Sequence, residues 1–497
     1  MKKLSGSYII SLCSKLERLT KMSIERRAFN KTISLLKGLS NIRYNFFLGY
    51  KNDFIEEQIV SLAQHIHKKD FMDNNNDKSI VIVDEINADY IGLMVQYLSA
   101  LITDSYQILY IYEHKEHSTA VRTQLMQMLQ SYGKAQIKEI PSTITYFEKS
   151  QWIYDEICTF GSKKVMMHFG EWAVEKCVAI SALPKECVRY RINCADHCFW
   201  AGASCVDYTF EFRHYGANLS YHERGLEQNH IIYLPFYPVM QETPFAGFPE
   251  ECDNKIVFFS GGAVYKIVDE GDTFFRLCKT ILDTCPDSVV LFAGADNDNH
   301  LLADAIERYG LRGRFIPIGY RKDILEVFKH SDVYINTYPV GGGLMCQYAA
   351  QCSKPILNFK GNGIEECVAQ KKECSFTAFT EDAFLNEAVR LYSDIDYRKK
   401  RGISIHQAVI SKEEFDKALL CFLSMQESSF EIKWDEYFVP KNYSMEDAII
   451  FNNNKLYGFY YKLYRLMGYS FISTMPWNFI TMGIYGIKRK IKKMCKM

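Results

Sequence analysis

The segment 331–361, SDVYINTYPVGGGLMCQYAAQCSKPILNFKG, restricts the fold of this chain more than any other stretch. Val333-Tyr334-Ile335 reads as a short buried strand and Thr337-Tyr338-Pro339 as a turn. Gly341, Gly342 and Gly343 follow, then a helical run from Leu344 to Cys352, and Pro355 opens a second strand from Ile356 to Phe359. Strand, glycine turn, helix, strand is a βαβ unit, the building block of an open parallel sheet. Glycine lets backbone approach a ligand closely, and the first amides of a helix lack intrahelical partners. Those amides and the helix dipole favour an anion, typically a diphosphate, at that end. Taken alone, the glycines serve equally well as plain turn residues.

Neighbouring segments tilt the balance toward a ligand. Phe259-Ser260-Gly261-Gly262 closes an earlier strand with Lys266 four residues on, and Gly319-Tyr320 follows the strand around Phe315–Ile318. A lysine close behind a glycine turn sets a point charge beside backbone amides, where a phosphate can be held, and Tyr320 is placed to meet a nucleotide base. Turns that follow strands of a parallel sheet share its carboxyl edge, where open α/β sheets bind ligands.

Strands at 255–259, 288–293, 314–318, 333–335 and 356–359, with helices between, make one α/β unit. A separate alternation precedes it, with strands at 80–83, 107–112, 137–140, 164–167, 188–192, 208–212 and 231–234. Pro244, Gly247 and Pro249 punctuate the stretch between and read as a linker. The expected domains are 1–245, 250–430 and 431–497, the last as helices that pack back on the first domain and end in a basic tail.

The residues Gly261-Gly262 with Lys266, Gly319-Tyr320, Ser331-Asp332-Val333, and Gly341 to Gly343 through Ala349 to Pro355 resemble the donor-binding half of GT-B-type glycosyltransferases. The pattern is similar to bacterial surface-polysaccharide transferases, and distantly to O-GlcNAc-transferase-like enzymes. The resemblance implies two Rossmann-like domains facing across a cleft. It also implies a UDP-type nucleotide-sugar co-substrate, contacts to it from Tyr338 and Gln347 beside the glycines, and a glycan or lipid-linked acceptor. Where large retaining families carry a glutamate seven residues before the proline, this chain has Tyr348. A sugar-nucleotide epimerase of the same fold and a nucleotide-binding scaffold without turnover are the alternatives.

The first half offers its own constellation, Asn193-Cys194-Ala195-Asp196-His197-Cys198-Phe199-Trp200, after the strand 188–192. An acid beside a histidine at a strand's end is where a general base can stand, so Asp196 and His197 are catalytic candidates. His168, at the end of the strand 164–167, is the third. The competing reading makes Asp196-His197 a local pair and Trp200 core. Asp207, Glu211 and Arg213 read as salt-bridge residues of the fold.

With 59 Lys+Arg against 59 Asp+Glu, no global field recruits nucleic acid. The 16 cysteines show no metal-ligand spacing, and no secretory leader is read, so a reducing cytoplasmic setting is expected. The nearest acidic pair read, Asp84-Glu85, lies in the other domain, and no DxD-type pair is read in a convincing turn, so no required divalent metal is expected. The aromatic stretch 454–468 and the apolar stretch 477–487 precede a terminus in which six of ten residues are Lys or Arg. An apolar face beside a basic cluster is the pattern of a helix on an anionic membrane surface, here the inner face of the cell membrane.

Overall fold

The computed structural model describes residues 2–85, 93–114, 119–239, 243–296, 299–360, 376–434, 449–451 and 453–494. Gly361 and residues 495–497, which include the last basic residue, Lys496, lie outside them. The chain forms two units, one of 1–89, 101–233 and 421–497, the other of 90–100 and 234–420.

The first unit is built on seven parallel strands: β1 (Ser79–Asp84), β2 (Gln107–Tyr112), β3 (Ala135–Glu139), β4 (Lys164–His168), β5 (Val188–Ile192), β6 (Tyr208–Glu211) and β7 (Ile231–Tyr233). Their order is β3-β2-β1-β4-β5-β6-β7. The direction of winding reverses between β1 and β4, whose register sets Asp84 opposite His168 at the carboxyl edge. A sheet covered on both faces reads as continuous apolar sequence rather than an alternation. The strand β1, SIVIVD, is buried at every position.

One face is covered by helices from both ends of the chain. Helices Gly6–Glu25, Phe29–Asn45 and Asp53–Ala63 form an amino-terminal layer. Helix Asn453–Met467 joins it, and Leu36, Leu39 and Ile42 share one core with Phe459, Leu463 and Met467. Gly38 permits that approach, since a Cβ there would lie 2.4 Å from Met467 Sδ.

The second unit has six parallel strands: β8 (Ile256–Gly261), β9 (Ser288–Ala293), β10 (Phe315–Pro317), β11 (Val333–Ile335), β12 (Ile356–Phe359) and β13 (Phe376–Ala378). Their order, β10-β9-β8-β11-β12-β13, repeats the reversal of the first sheet, now between β8 and β11. Each face has its own core, with Phe258, Phe274 and Phe292 on one side and Phe259, Phe328 and Tyr334 on the other.

Residues 90–100 join this second unit, although the alternation of strands places them among the crossovers of the first. The helix Leu93–Thr103 carries Gln96, whose amide donates to Tyr237 O at 2.7 Å and accepts from Tyr237 N at 3.0 Å. Its Tyr97 packs edge-on against Phe415. The unit thus begins at Leu234, upstream of the Pro244–Pro249 stretch.

Leu463, in the helix Asn453–Met467, is fully buried in the core of the first unit. Leu463→Ala is expected to lower the unfolding free energy by about 2–5 kcal/mol, read from denaturant midpoints. An unchanged midpoint would show that the carboxyl-terminal helices contribute nothing to that core.

Candidate functional site

At the carboxyl edge of the second sheet, three strand ends are laced by glycine. Gly262, at φ +152°, donates to Ala293 O at 2.9 Å, and Gly294 N donates to Gly319 O at 2.7 Å. A Cβ on Gly294 would lie 2.3 Å from Gly262 O, so only glycine admits this approach. At Gly261 an added Cβ would displace the Met345 methyl, 2.8 Å away, a side chain from the start of the helix Gly343–Gln351.

On the other side of the reversal, the loop after β11 is fixed by polar side chains. Asn336 accepts from Gly342 N at 2.9 Å and donates to Asn358 Oδ1 at 3.0 Å, and Asn358 donates to Thr377 Oγ1 at 3.2 Å. This ladder crosses the ends of β11, β12 and β13 and sets Gly342 as the cap of the helix Gly343–Gln351. Val340 N donates to Lys266 O, tying the two loops at the reversal together. Cys346 N donates back to Gly342 O, so the amides before it face the loop, without a partner inside the helix.

Lys266 stands in this cradle, its stem 3.3 Å from the Cβ position of Gly262. It forms no ion pair with a described carboxylate, and burial pushes its pKa below the usual 10.5. A desolvated ammonium beside open helix amides is a site for an anion.

The other donor-side candidates divide. Tyr320 is 84% exposed and follows Gly319 directly, while Tyr338 packs edge-on against Phe359. Gln347 is buried and donates to Phe236 O at 2.8 Å, so this side chain braces the 234–237 segment. Arg321 and Asp323 pair with each other and hold the backbone at Ala246 and Gly247.

The carboxyl edge of the first sheet is crowded with charge. His168 Nδ1 lies 3.1 Å from Asp84 Oδ1, and Tyr110 OH donates to the second oxygen of the same carboxylate at 2.5 Å. Burial alone would lower the His168 pKa, but the Asp84 carboxylate, with Cys194, outweighs it and holds it up at about 10. The charged form of His168 is thereby favoured near neutral pH, which weighs against its acting as a base. Beside it, Lys176 reaches Glu113 at 2.7 Å and Glu175 at 2.8 Å, while Lys37 pairs with Glu175 and Lys149 with Glu113. Glu85, Glu113 and Glu175 are close enough to ligate a cation, but Lys176 already neutralises that group.

Asp196 is fully buried and bound by two nitrogens of Arg213, one at 2.7 Å. Although burial opposes it, the guanidinium holds the carboxyl well below its usual range. His197 Nδ1 lies 3.2 Å from Asp196, and its side chain is 61% exposed. The carboxylate thus orients an accessible ring instead of titrating itself. Beneath them Glu211 accepts from Asn193 and Ser220, and burial lifts its pKa to about 7. Gly216 permits this stacking, since its Cβ would lie 2.6 Å from Glu211 Oε2 and 2.8 Å from Asp196 Oδ2.

Sequence reasoning passed over Asn336, Asn358, Tyr110 and Lys176. A polar residue at or near the end of each apolar strand was the available signal for the two asparagines, whereas the partners of Lys176 (Glu85, Glu113 and Glu175) come from three separate segments.

Two parallel sheets, each reversing its winding beside its most polar strand ends, make this the fold of the GT-B glycosyltransferases. Among solved structures, HepE from Anabaena in complex with UDP and glucose matches with a TM-score of 0.51 at 13% identity, covering 70% of this chain and 99% of that one. The same Anabaena protein with UDP-glucose gives 0.50 at 12% identity over 70% and 99%. A glycosyltransferase from Rickettsia africae gives 0.51 at 12% identity over 69% and 97%. No protein-family model matches the chain, and no curated protein sequence matches it.

The His168–Asp84 pair predicts a pH dependence. Its folded pKa lies above the ordinary 6.5, so its contribution to stability is complete below 6.5 and is lost as pH rises through about 10. Melting temperature should fall across that window, and His168→Gln should flatten the slope. An equal slope in the variant would show that the pair does not carry it.

Proposed function

We propose that the chain is a glycosyltransferase that takes a hexosyl or N-acetylhexosaminyl group from a UDP-type nucleotide-sugar and passes it to a hydroxyl of a glycan or lipid-linked acceptor. The observation that carries this reading is Lys266, a cation pushed down by burial and lacking a described carboxylate, beside Gly262 and the start of the helix Gly343–Gln351. A diphosphate supplies the missing counter-charge. The complexes of the Anabaena protein with UDP and UDP-glucose support the same class of donor on this fold.

In the proposed reaction the bond between the anomeric carbon and the diphosphate oxygen breaks. The negative charge left on the nucleoside diphosphate is met by Lys266 and the helix amides, a role that a metal fills elsewhere. Fixed donors of this kind need no reorganisation as charge develops. The acceptor hydroxyl loses its proton to a base if configuration inverts. His197 suits that role better than His168, because its ring is exposed and oriented by Asp196, whereas His168 is buried and already protonated.

Lys266→Ala is expected to weaken UDP binding by at least tenfold, as expected for a lost charge-assisted contact of about 1.5–3 kcal/mol. Isothermal titration reads it, and an unchanged affinity would remove Lys266 from the site. Phosphate binds the charged ammonium, so affinity should be greatest below the lowered Lys266 pKa and decline as pH rises through it. Activity with UDP-sugar should survive EDTA, and no epimer should form when acceptor is absent.

His197→Ala should reduce kcat by about 10²–10⁴ while leaving UDP affinity intact. A turnover close to that of the unaltered chain would assign the proton transfer elsewhere.

A further inference from the structure

The helix Pro476–Met494 has two apolar faces of different fate. Met475 and Met482 are buried, and Phe479 and Tyr485 pack against the core of the first unit. Gly486 faces Tyr457 on the same side, with room for an ordinary contact of 3.5 Å from an added Cβ to the ring. Packing therefore fixes how the helix is rotated.

The opposite side carries Trp477, Ile480, Ile484 and Ile487, which are 78%, 50%, 49% and 61% exposed. At 100° per residue these positions fall within an arc of about 80°, a single stripe along the helix. Tyr469, which opens the preceding short helix, is 81% exposed. Tyr8, itself partly exposed, donates from its hydroxyl to Asn478 Oδ1 at 3.2 Å, bringing the first helix to the rim of the stripe. A row of large apolar side chains held outward by a packed opposite face marks an interaction surface.

Charge identifies what covers it. Residues 448–497 contain nine Lys and Arg and no Asp or Glu, in a chain whose totals are 59 and 59. Six of the nine lie at 488–497, immediately after the stripe. A second copy would bring the same unbalanced positive charge to this surface and be repelled. Anionic lipid headgroups supply the opposite sign together with an apolar layer beneath. No helix among the described residues is long and apolar enough to cross a membrane, which leaves contact in the plane of the surface.

We propose that the helix Pro476–Met494 docks this protein on an anionic lipid bilayer, with Trp477, Ile480, Ile484 and Ile487 entering the boundary between headgroups and acyl chains. The tryptophan sits at the polar–apolar boundary that suits an indole, and the following basic residues meet the phosphates. The proposal stands on this face alone and does not depend on the transferase reading.

The test is co-sedimentation of the full chain with vesicles of phosphatidylcholine, with and without phosphatidylglycerol. The unaltered protein should bind the anionic vesicles, bind the neutral ones at least tenfold more weakly, and dissociate as salt screens the headgroups. Trp477→Gln with Ile484→Gln should lower binding at least tenfold with an unchanged melting temperature, since both side chains lie outside the core. Lys488→Gln with Lys490→Gln and Lys492→Gln, which retains the stripe, should lose the preference for anionic lipid. Equal binding by the Trp477/Ile484 variant, or no binding by the unaltered chain, would overturn the proposal. So would light scattering that shows a dimer which this variant converts to monomer in the absence of lipid.

Discussion

A parallel strand covered on both faces has little place for a polar side chain before its end, and this constraint distributes the chemistry of the chain. The strands β1, β4, β8 and β11 are apolar through their middle and release their polar groups at the carboxyl edge: Asp84, His168, the Gly261-Gly262 amides and Asn336. Reversal of winding then parts the crossover helices at one place in each sheet, which leaves those groups beside an opening. The site follows from the sheet's need to bury its own faces.

The two edges satisfy their charges differently. In the first unit the ionised groups at the edge pair internally: Asp84 with His168, Asp196 with Arg213, and three glutamates with Lys37, Lys149 and Lys176, while Glu211 is held by the neutral Asn193 and Ser220. Removing one partner from such a buried set leaves a desolvated charge, which costs more than the pair contributes. These groups set geometry. In the second unit Lys266 and the helix amides meet no described carboxylate, and that imbalance is what a ligand can satisfy. Between these extremes stands His197, whose neighbour is committed to Arg213 while its own ring faces solvent.

Much of this was legible in the sequence. Apolar runs broken by glycine located the strands around Gly261, Gly319 and Gly341, because a close backbone approach leaves a local mark. The 90–100 segment did not betray its place in the second unit, since Gln96 and Tyr97 look like any helix surface until Tyr237 and Phe415 are brought to them. Gln347 was legible as a residue beside the glycines but not as a brace for Phe236. Likewise, spacing placed Asp196 next to His197 and could not reveal that Arg213 already holds the carboxylate.

The carboxyl-terminal helix shows the same limit from the other side. Its sequence is apolar around most of its circumference before the lysines begin, so periodicity alone assigns neither a buried nor an exposed face. Packing decides it: Met482 and Phe479 have partners in Tyr464 and the amino-terminal layer, which commits the rotation of the helix. Trp477 and Ile484 are then exposed because the core is already complete without them, whatever their hydrophobicity. An apolar side chain that a finished core turns outward reports on something outside the molecule, and a terminus without a single carboxylate restricts the sign of that partner.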